Sequence, residues 1–199
     1  MSGLSRLVIA SGNAGKLREI GAILAPLGID IVPQSTLGVT EAEEPHPTFL
    51  ENALAKARHA AASTGLPALA DDSGICVPAL GGAPGVRSAR YAGEPKSDAR
   101  NNAKLVADLA RVDDRRAYYY CVMVLLRAAD DPQPLVGEGV WAGEVVDTPA
   151  GDGGFGYDPY FRIPSLGLTV AQMPADLKNR SSHRALALAA IAERLRTQG

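Results

Sequence analysis

The chain has 199 residues, with 20 Lys and Arg against 22 Asp and Glu, for a net charge of −2. Apolar residues make up 46% and charged residues 21%, which suits one domain, or one domain with two lobes, built on a substantial core. There is no basic excess for a nucleic-acid polymer or an anionic membrane. No stretch approaches the roughly 18 apolar residues of a membrane span. No basic segment leads into a long apolar run at the N-terminus, so the expectation is a cytoplasmic protein.

Leu7-Val8-Ile9-Ala10 is short, apolar and partly β-branched, which predicts a buried strand. A loop of small residues follows: Ser11, Gly12, Asn13, Ala14, Gly15 and Lys16. Leu17, Ile20, Leu24 and Leu27 then recur at helical spacing up to Gly28. Such a loop at a helix N-terminus presents backbone N–H groups, and the helix dipole favours an anion there. Lys16 in the first turn opposes that dipole and suits a bound phosphate. The usual phosphate loop has four residues between its first Gly and its Gly-Lys, then Ser or Thr for magnesium. Here only Asn13 and Ala14 intervene and Leu17 follows, so a tight connection and a phosphate grip both fit.

Asp30-Ile31-Val32 predicts a second strand, and the acidic, Pro-containing stretch Glu41 to Pro47 a loop. Thr48-Phe49-Leu50-Glu51 fits a capping box opening a long Ala-rich helix to about Thr64, stopped by Gly65. Ala68-Leu69-Ala70 reads as a strand running into a loop, Asp71-Asp72-Ser73-Gly74. Gly81 to Gly85 is a turn cluster. Ser97 can cap a helix to about Arg111, with Leu105, Val106 and Leu109 inward. Ala117–Arg127 is the strongest strand signal. Leu135–Val146 predicts another long strand, whose three glycines suggest bulges or a bend. Residues 151–156 form a Gly-rich loop with special dihedrals. A last helix starts near Ser182, with Leu188, Ile191 and Leu195 on one face. Helices mixed with long adjacent strands predict an α/β fold with a mixed sheet.

No zinc-ligand spacing or nucleophile elbow occurs, and Cys76 and Cys121 read as buried reduced thiols. The chemistry-bearing residues are acids in loops: Glu41, Glu43 and Glu44 in one, Asp71 and Asp72 in another. The glutamates form a solvated loop and the aspartates an ordinary Asp-rich turn, or the two clusters seat magnesium, which takes few protein ligands and completes its shell with water and phosphate oxygens. Lys56 lies amid alanines, on a solvated helix face or beside an anion. Lys178, His183 and Arg184 gather near the start of the last helix, where cations again oppose the dipole. Phe155, Gly156, Tyr157 and Asp158 follow a Gly-rich turn. Phe155 can stack on a planar base or plug the core.

The combination and order of these blocks resemble the inosine triphosphate pyrophosphatase family over nearly the whole chain. The carriers are Ser11 to Lys16, Phe49-Leu-Glu-Asn-Ala53 with Lys56-Ala-Arg58, and Ala70-Asp-Asp-Ser-Gly74. Gly81 to Gly85 with Ser88-Ala-Arg-Tyr91, Gly153 to Pro159, and Ser182-His-Arg184 complete the set. The resemblance implies a two-lobed single domain over residues 1–199, with a long mixed sheet flanked by helices and a nucleotide cleft between lobes. It implies hydrolysis of ITP, dITP and XTP to monophosphate and pyrophosphate with magnesium, by a homodimer. By position, Ser11, Gly12, Asn13, Ala14, Gly15 and Lys16 would hold the triphosphate. Asp72 would be general base and metal ligand, Glu44 a second metal-site carboxylate, Ser73 a substrate contact, and Lys56 a neutraliser of phosphate charge. Phe155, Gly156, Tyr157, Asp158, Lys178, His183 and Arg184 would form the base pocket, with donor-only Arg184 facing the purine 6-oxygen. Two positions depart from the family pattern: Ser11 replaces a Thr and keeps its hydroxyl, and Ser181 replaces an apolar residue. A module that binds nucleotide without hydrolysing it could dispense with Asp72, Glu44 or Lys56, and all three are present.

Overall fold

A computed structural model describes residues 4–197, and of Leu27 the backbone alone. Seven strands and five α-helices follow in the order β1 (Arg6–Ile9), α1 (Ala14–Leu24), β2 (Asp30–Pro33), α2 (Phe49–Thr64), β3 (Ala68–Cys76), α3 (Asp98–Asp108), β4 (Arg116–Leu126), β5 (Leu135–Val145), β6 (Phe161–Ile163), β7 (Leu168–Thr169), α4 (Ala175–Ser181) and α5 (His183–Thr197). The strands form one mixed sheet in the order β2-β1-β3-β4-β5-β6-β7. β1 is parallel to both β2 and β3, with Val8 opposite Val32 and Ala68. β6 is antiparallel to β5 and β7. The α/β mixed-sheet expectation holds.

The chain divides into two units. The first takes the chain up to Asp72, Cys121–Gly139 and the segment from His183 onward. Its core joins Leu7 and Ile9 of β1, Ile20 and Leu24 of α1, Leu69 of β3, Met123 and Leu125 of β4, and Leu188 and Ile191 of α5. These apolar positions repeat at the strand and helix periods read from the sequence; the side chain of Leu27 lies outside the described residues. The second unit takes Ser73–Tyr120 and Val140–Ser182. Phe161 is fully buried at its centre, edge-on to Tyr119 at 4.6 Å and to Trp141 at 6.2 Å.

Helix boundaries follow their caps. The Thr48 hydroxyl accepts the Glu51 N–H at 3.2 Å and donates to the Glu51 carboxylate at 2.6 Å. Gly65 ends α2 with φ +67°. Ser97 caps α3 by accepting the Arg100 N–H, but the helix stops at Asp108, short of Arg111. A separate short helix, α4, precedes α5, and Ser182 lies between them in extended backbone.

The structure corrects two sequence expectations. Asp71-Asp72-Ser73-Gly74 belong to β3 rather than to a loop. Cations from helices partner both carboxylates there, as described below. Secondly, β5 runs unbroken through its glycines. A Cβ at Gly137 would lie 2.1 Å from the Ala187 carbonyl oxygen, and one at Gly139 2.0 Å from that of His183. The glycines therefore let α5 lie directly on the strand, which fixes where α5 begins. Cys76 and Cys121 are buried free thiols, as expected. Among the described residues no helix is long and apolar enough to cross a membrane.

Candidate active site

In the first unit, β1 delivers the chain into the loop Ser11-Gly12-Asn13, and α1 starts at Ala14. Asn13 is the N-cap: its side-chain oxygen accepts the Lys16 N–H at 3.1 Å, while its own N–H donates to the Ser11 hydroxyl at 3.2 Å. The N–H groups of Ala14 and Gly15 sit in the first turn, which has no intrahelical acceptors. Lys16 is not a stray cation. Its ammonium lies 2.9 Å from Asp71 Oδ2, so β3 compensates the charge that the helix dipole disfavours.

Asp71 is fully buried. Arg184 of α5 approaches the same Oδ2 through Nε and Nη2 at 3.4 Å, and its Nη1 donates to Glu19 of α1. Burial alone would raise the Asp71 pKa. Lys16, then Arg184, then Lys56 outweigh it and hold the carboxyl far below the usual range. Asp72 points elsewhere, as the next residue of a strand must. It meets Lys56 Nζ at 3.3 Å and Asn52 Nδ2 at 3.2 Å, both on α2. Here the balance reverses. Burial pushes the Asp72 carboxyl up, against the pull of Lys56 and Lys16, and Glu44 and Asp71 add to the rise.

Glu44 reaches Lys56 Nζ at 2.7 Å from the loop before α2. Burial would depress the Lys56 ammonium, but Asp72, Asp71 and Glu44 together hold it above its ordinary value. Lys56 is thus an enclosed cation rather than part of a solvated face. Asn52 positions the loop: its Oδ1 accepts the His46 N–H at 3.0 Å, and its Nδ2 donates to the His46 carbonyl at 3.1 Å. Glu41, from the same loop, lies against Gly12, where a Cβ would come within 1.8 Å of Oε1. Only Glu44 of the three acids joins the Lys56 cluster. Beneath it, burial followed by the nearby Asp71 pushes the Cys121 thiol up to about 12, so it stays inert.

The second unit holds the other group. The turn after β5 uses positive-φ glycines at Gly151, Gly154 and Gly156. Asp158 is buried and accepts the Phe155 N–H at 2.8 Å, the Lys178 ammonium at 2.6 Å and the Tyr119 hydroxyl at 3.1 Å. Lys178 also stands 4.7 Å above the half-buried Phe155 ring. The ring is thus partly open to solvent and lies under a cation. Tyr157 is buried, and its hydroxyl donates to the Ser88 carbonyl at 2.8 Å. Ser73 is half-buried in β3.

Ser11 to Lys16, Glu44, Lys56 and Asp72 therefore share one unit, while Ser73, Phe155 to Asp158 and Lys178 share the other. His183 and Arg184 open α5 in the first unit. Arg184, placed in the base pocket by the resemblance, has its guanidinium on Glu19 and Asp71. Sequence reasoning did not identify Glu19, Asn52, Tyr119 or the Lys16–Asp71 pair as site features. Asn52 lies near the start of α2, directly after the capping-box Glu51, and the other contacts join residues far apart in the chain. Ser181, the departure from an apolar residue, is accommodated by donating to the Leu177 carbonyl at 2.8 Å.

Fold and site together define an α/β protein with a Gly-rich loop at a helix start and carboxylates of opposed acidity beside buried cations. The Ham1 family profile matches residues 7–194, and the chain belongs to that family. A protein of Bordetella pertussis named dITP/XTP pyrophosphatase is 64% identical over 98% of this chain and 93% of its own length. A protein of the same name from Burkholderia pseudomallei is 66% identical over 96% and 93%. Among solved structures, a HAM1 protein from Coxiella burnetii is 46% identical and covers 98% of this chain and 99% of its own, with a TM-score of 0.88. The Ham1 protein of Staphylococcus aureus gives 0.85 at 38% identity, covering 98% and 100%.

Proposed function

We propose that this protein is a pyrophosphatase that hydrolyses the deaminated purine nucleotides ITP, dITP and XTP to monophosphate and pyrophosphate. The observation that carries the reading is the placement of two adjacent carboxylates: Asp71 against Lys16 and Arg184, and Asp72 against Lys56 and Asn52, with Glu44 on the same Lys56 ammonium. Asp71 is held ionised as a fixed counter-charge, while Asp72 is held by burial with a raised affinity for a proton. A general base for water needs that raised affinity and an oxygen kept in place. Asn52 and Lys56 keep it in place. In this reading residues 1–199 act as one catalytic domain.

The first-turn N–H groups of Ala14 and Gly15, with Lys16 and Lys56, supply positive potential for the triphosphate. The hydroxyls of Ser11 and Ser73 add donors. Lys16 enters that role from its contact with Asp71, and Lys56 from its contact with Glu44 and Asp72. Magnesium fits Glu44 and Asp72: the donors are all oxygens, and a cation, the Lys56 ammonium, already lies against both carboxylates. Among the described residues no group of three or more His, Cys, Asp or Glu gathers to hold a metal. Such a two-carboxylate seat leaves room for phosphate oxygens and water. When bound, magnesium neutralises phosphate charge and polarises the anhydride.

Phe155 offers its ring to the purine, and Lys178 offers a donor to the 6-oxygen that hypoxanthine and xanthine carry where adenine has an amino group. Arg184 stabilises the ionised Asp71, and His183 seats α5 on β5; either addresses the base only beyond the contacts described above. The family resemblance further supports a homodimer, and the substrate class a cytoplasmic location.

The test is product analysis with ITP, XTP, dITP, GTP and ATP in the presence of magnesium. Pyrophosphate is expected from the first three, with GTP and ATP slow. Orthophosphate as the sole product would overturn the reaction, and equal rates on ATP and ITP the base preference.

A further inference from the structure

We propose that Asp98 and Asn102, neighbours on one face of α3, are positioning residues that clamp the base-recognition loop through Gly156. The Gly156 N–H donates to Asp98 Oδ2 at 2.8 Å, and its carbonyl accepts from Asn102 Nδ2 at 2.8 Å. Both backbone groups of one residue are thus held by side chains four apart on a helix, the spacing that puts them side by side. Gly156 has φ +64°, a conformation no strand or helix would impose. It stands between Phe155, whose N–H is bound by Asp158, and Tyr157, whose hydroxyl is bound by Ser88. Fixing Gly156 therefore fixes the direction in which the Phe155 ring leaves the backbone.

The molecule uses this device elsewhere. Asn52 takes both backbone groups of His46 and so holds the loop carrying Glu44. Asn101, beside Asn102, accepts the Ala92 N–H at 2.8 Å and donates to the Ala89 carbonyl at 3.0 Å. The helix α3 thus spends consecutive asparagines on two different segments. Asn102 is 6% exposed, and among the described residues its Oδ1 has no hydrogen-bond partner. Its amide earns its burial by the single donation to Gly156. A residue kept only for packing would favour an apolar side chain there.

The inference rests on the assignment of Phe155 to Asp158 to the base, and it predicts opposite outcomes for two near-isosteric changes. Asp98→Asn keeps an oxygen that can accept the Gly156 N–H and should behave like the parent protein. Asp98→Ala should not. Asn102→Asp replaces the donor with a carboxylate facing a carbonyl, and Asn102→Ala removes it without adding charge. Both Asn102 variants should raise KM for ITP about tenfold with kcat nearly unchanged, the signature of lost uniform binding. Inorganic triphosphate has no base, so its inhibition constant should not move. The Gly156 amide should exchange with solvent faster in both variants, and the melting temperature identifies any variant that has not folded.

Phe155→Ala separates the two levels. If it raises KM for ITP while Asn102→Ala and Asn102→Asp, both folded, do not, the clamp is overturned and the base assignment stands. If Phe155→Ala leaves KM unchanged, the base assignment itself falls. If Asp98→Asn fails as Asp98→Ala does, the hydrogen bond from Gly156 is not what Asp98 supplies, and the clamp is again overturned.

Discussion

The polar groups buried in the two units are built on different principles. In the second unit Asp158 is surrounded by donors: an ammonium, a peptide N–H and a phenol. It is a satisfied charge, and its work is to hold a loop in shape. In the first unit Lys16, Lys56 and Arg184 meet Glu19, Glu44, Asp71 and Asp72. The cations favour Asp71, and Asp72 is left with less compensation than its burial demands. A network that settled both acids equally would be a better structural element and a worse base. The contrast separates residues that shape a site from one that reacts in it.

The sharpest way to break this contrast is Asp72→Asn. It keeps size and an acceptor for Asn52 but removes the proton-accepting charge. Turnover of ITP should fall by about 10²- to 10⁴-fold, with nucleotide binding retained. A rate near the parent's would remove Asp72 from its role. The second unit is tested by removing one partner of a buried pair. Lys178→Met leaves Asp158 buried with its ammonium gone, and should cost about 3–5 kcal/mol in denaturant unfolding. The double change Lys178→Met with Asp158→Asn should recover part of that loss. A single-variant cost below about 1 kcal/mol would mean that the pair is solvated and not structural.

Acid unfolding tests the other carboxylate. The folded pKa of Asp71 lies below its unfolded value, so its contribution to stability is fully present above about pH 4. That contribution drains away as the pH falls further. The wild type should therefore lose stability below about pH 4 with an extra slope of up to 1.4 kcal/mol per pH unit, absent in Asp71→Asn. Parallel acid limbs for the two proteins would show that Lys16 and Arg184 do not hold Asp71 ionised.

How far the sequence carried depended on the range of the interactions. The limits of α2 were legible because Thr48, Glu51 and Gly65 are local signals. The loop at Ser11 to Lys16 was legible for the same reason, being a turn and a cap. The polar half of β3 was not. Aspartates disfavour strands, and the cations that meet these two come from distant segments: Lys16 and Arg184 for Asp71, Lys56 for Asp72. The ion pair of Arg184 with Glu19 was not legible either, because 165 residues separate them. The β5 glycines read as bulges because only the assembled unit shows the α5 backbone against them. What the sequence left unreadable was thus the compensation of charge and the close approach of backbones, both set by distant partners.

The smallest predicted effect discriminates best, because its sign is unusual for a catalytic substitution. In the folded protein the Asp72 pKa is raised, by burial first and then by Glu44 and Asp71 against Lys56 and Lys16. A raised carboxyl pKa means that the ionised form is less favourable folded than unfolded. At neutral pH Asp72 therefore subtracts stability, and regains it only as the pH falls toward the folded pKa. Asp72→Asn removes that burden while keeping an oxygen for the Asn52 amide. Without metal, the variant should melt higher than the wild type, by about 2–4 °C for each kcal/mol relieved. Adding magnesium should invert the order, because a divalent cation compensates the aspartate and has less to bind in the variant. Calorimetry of both proteins with and without magnesium reads the two signs. A variant that melts lower in both conditions would show that Asp72 is satisfied as fully as Asp158, and the distinction between the two units would collapse.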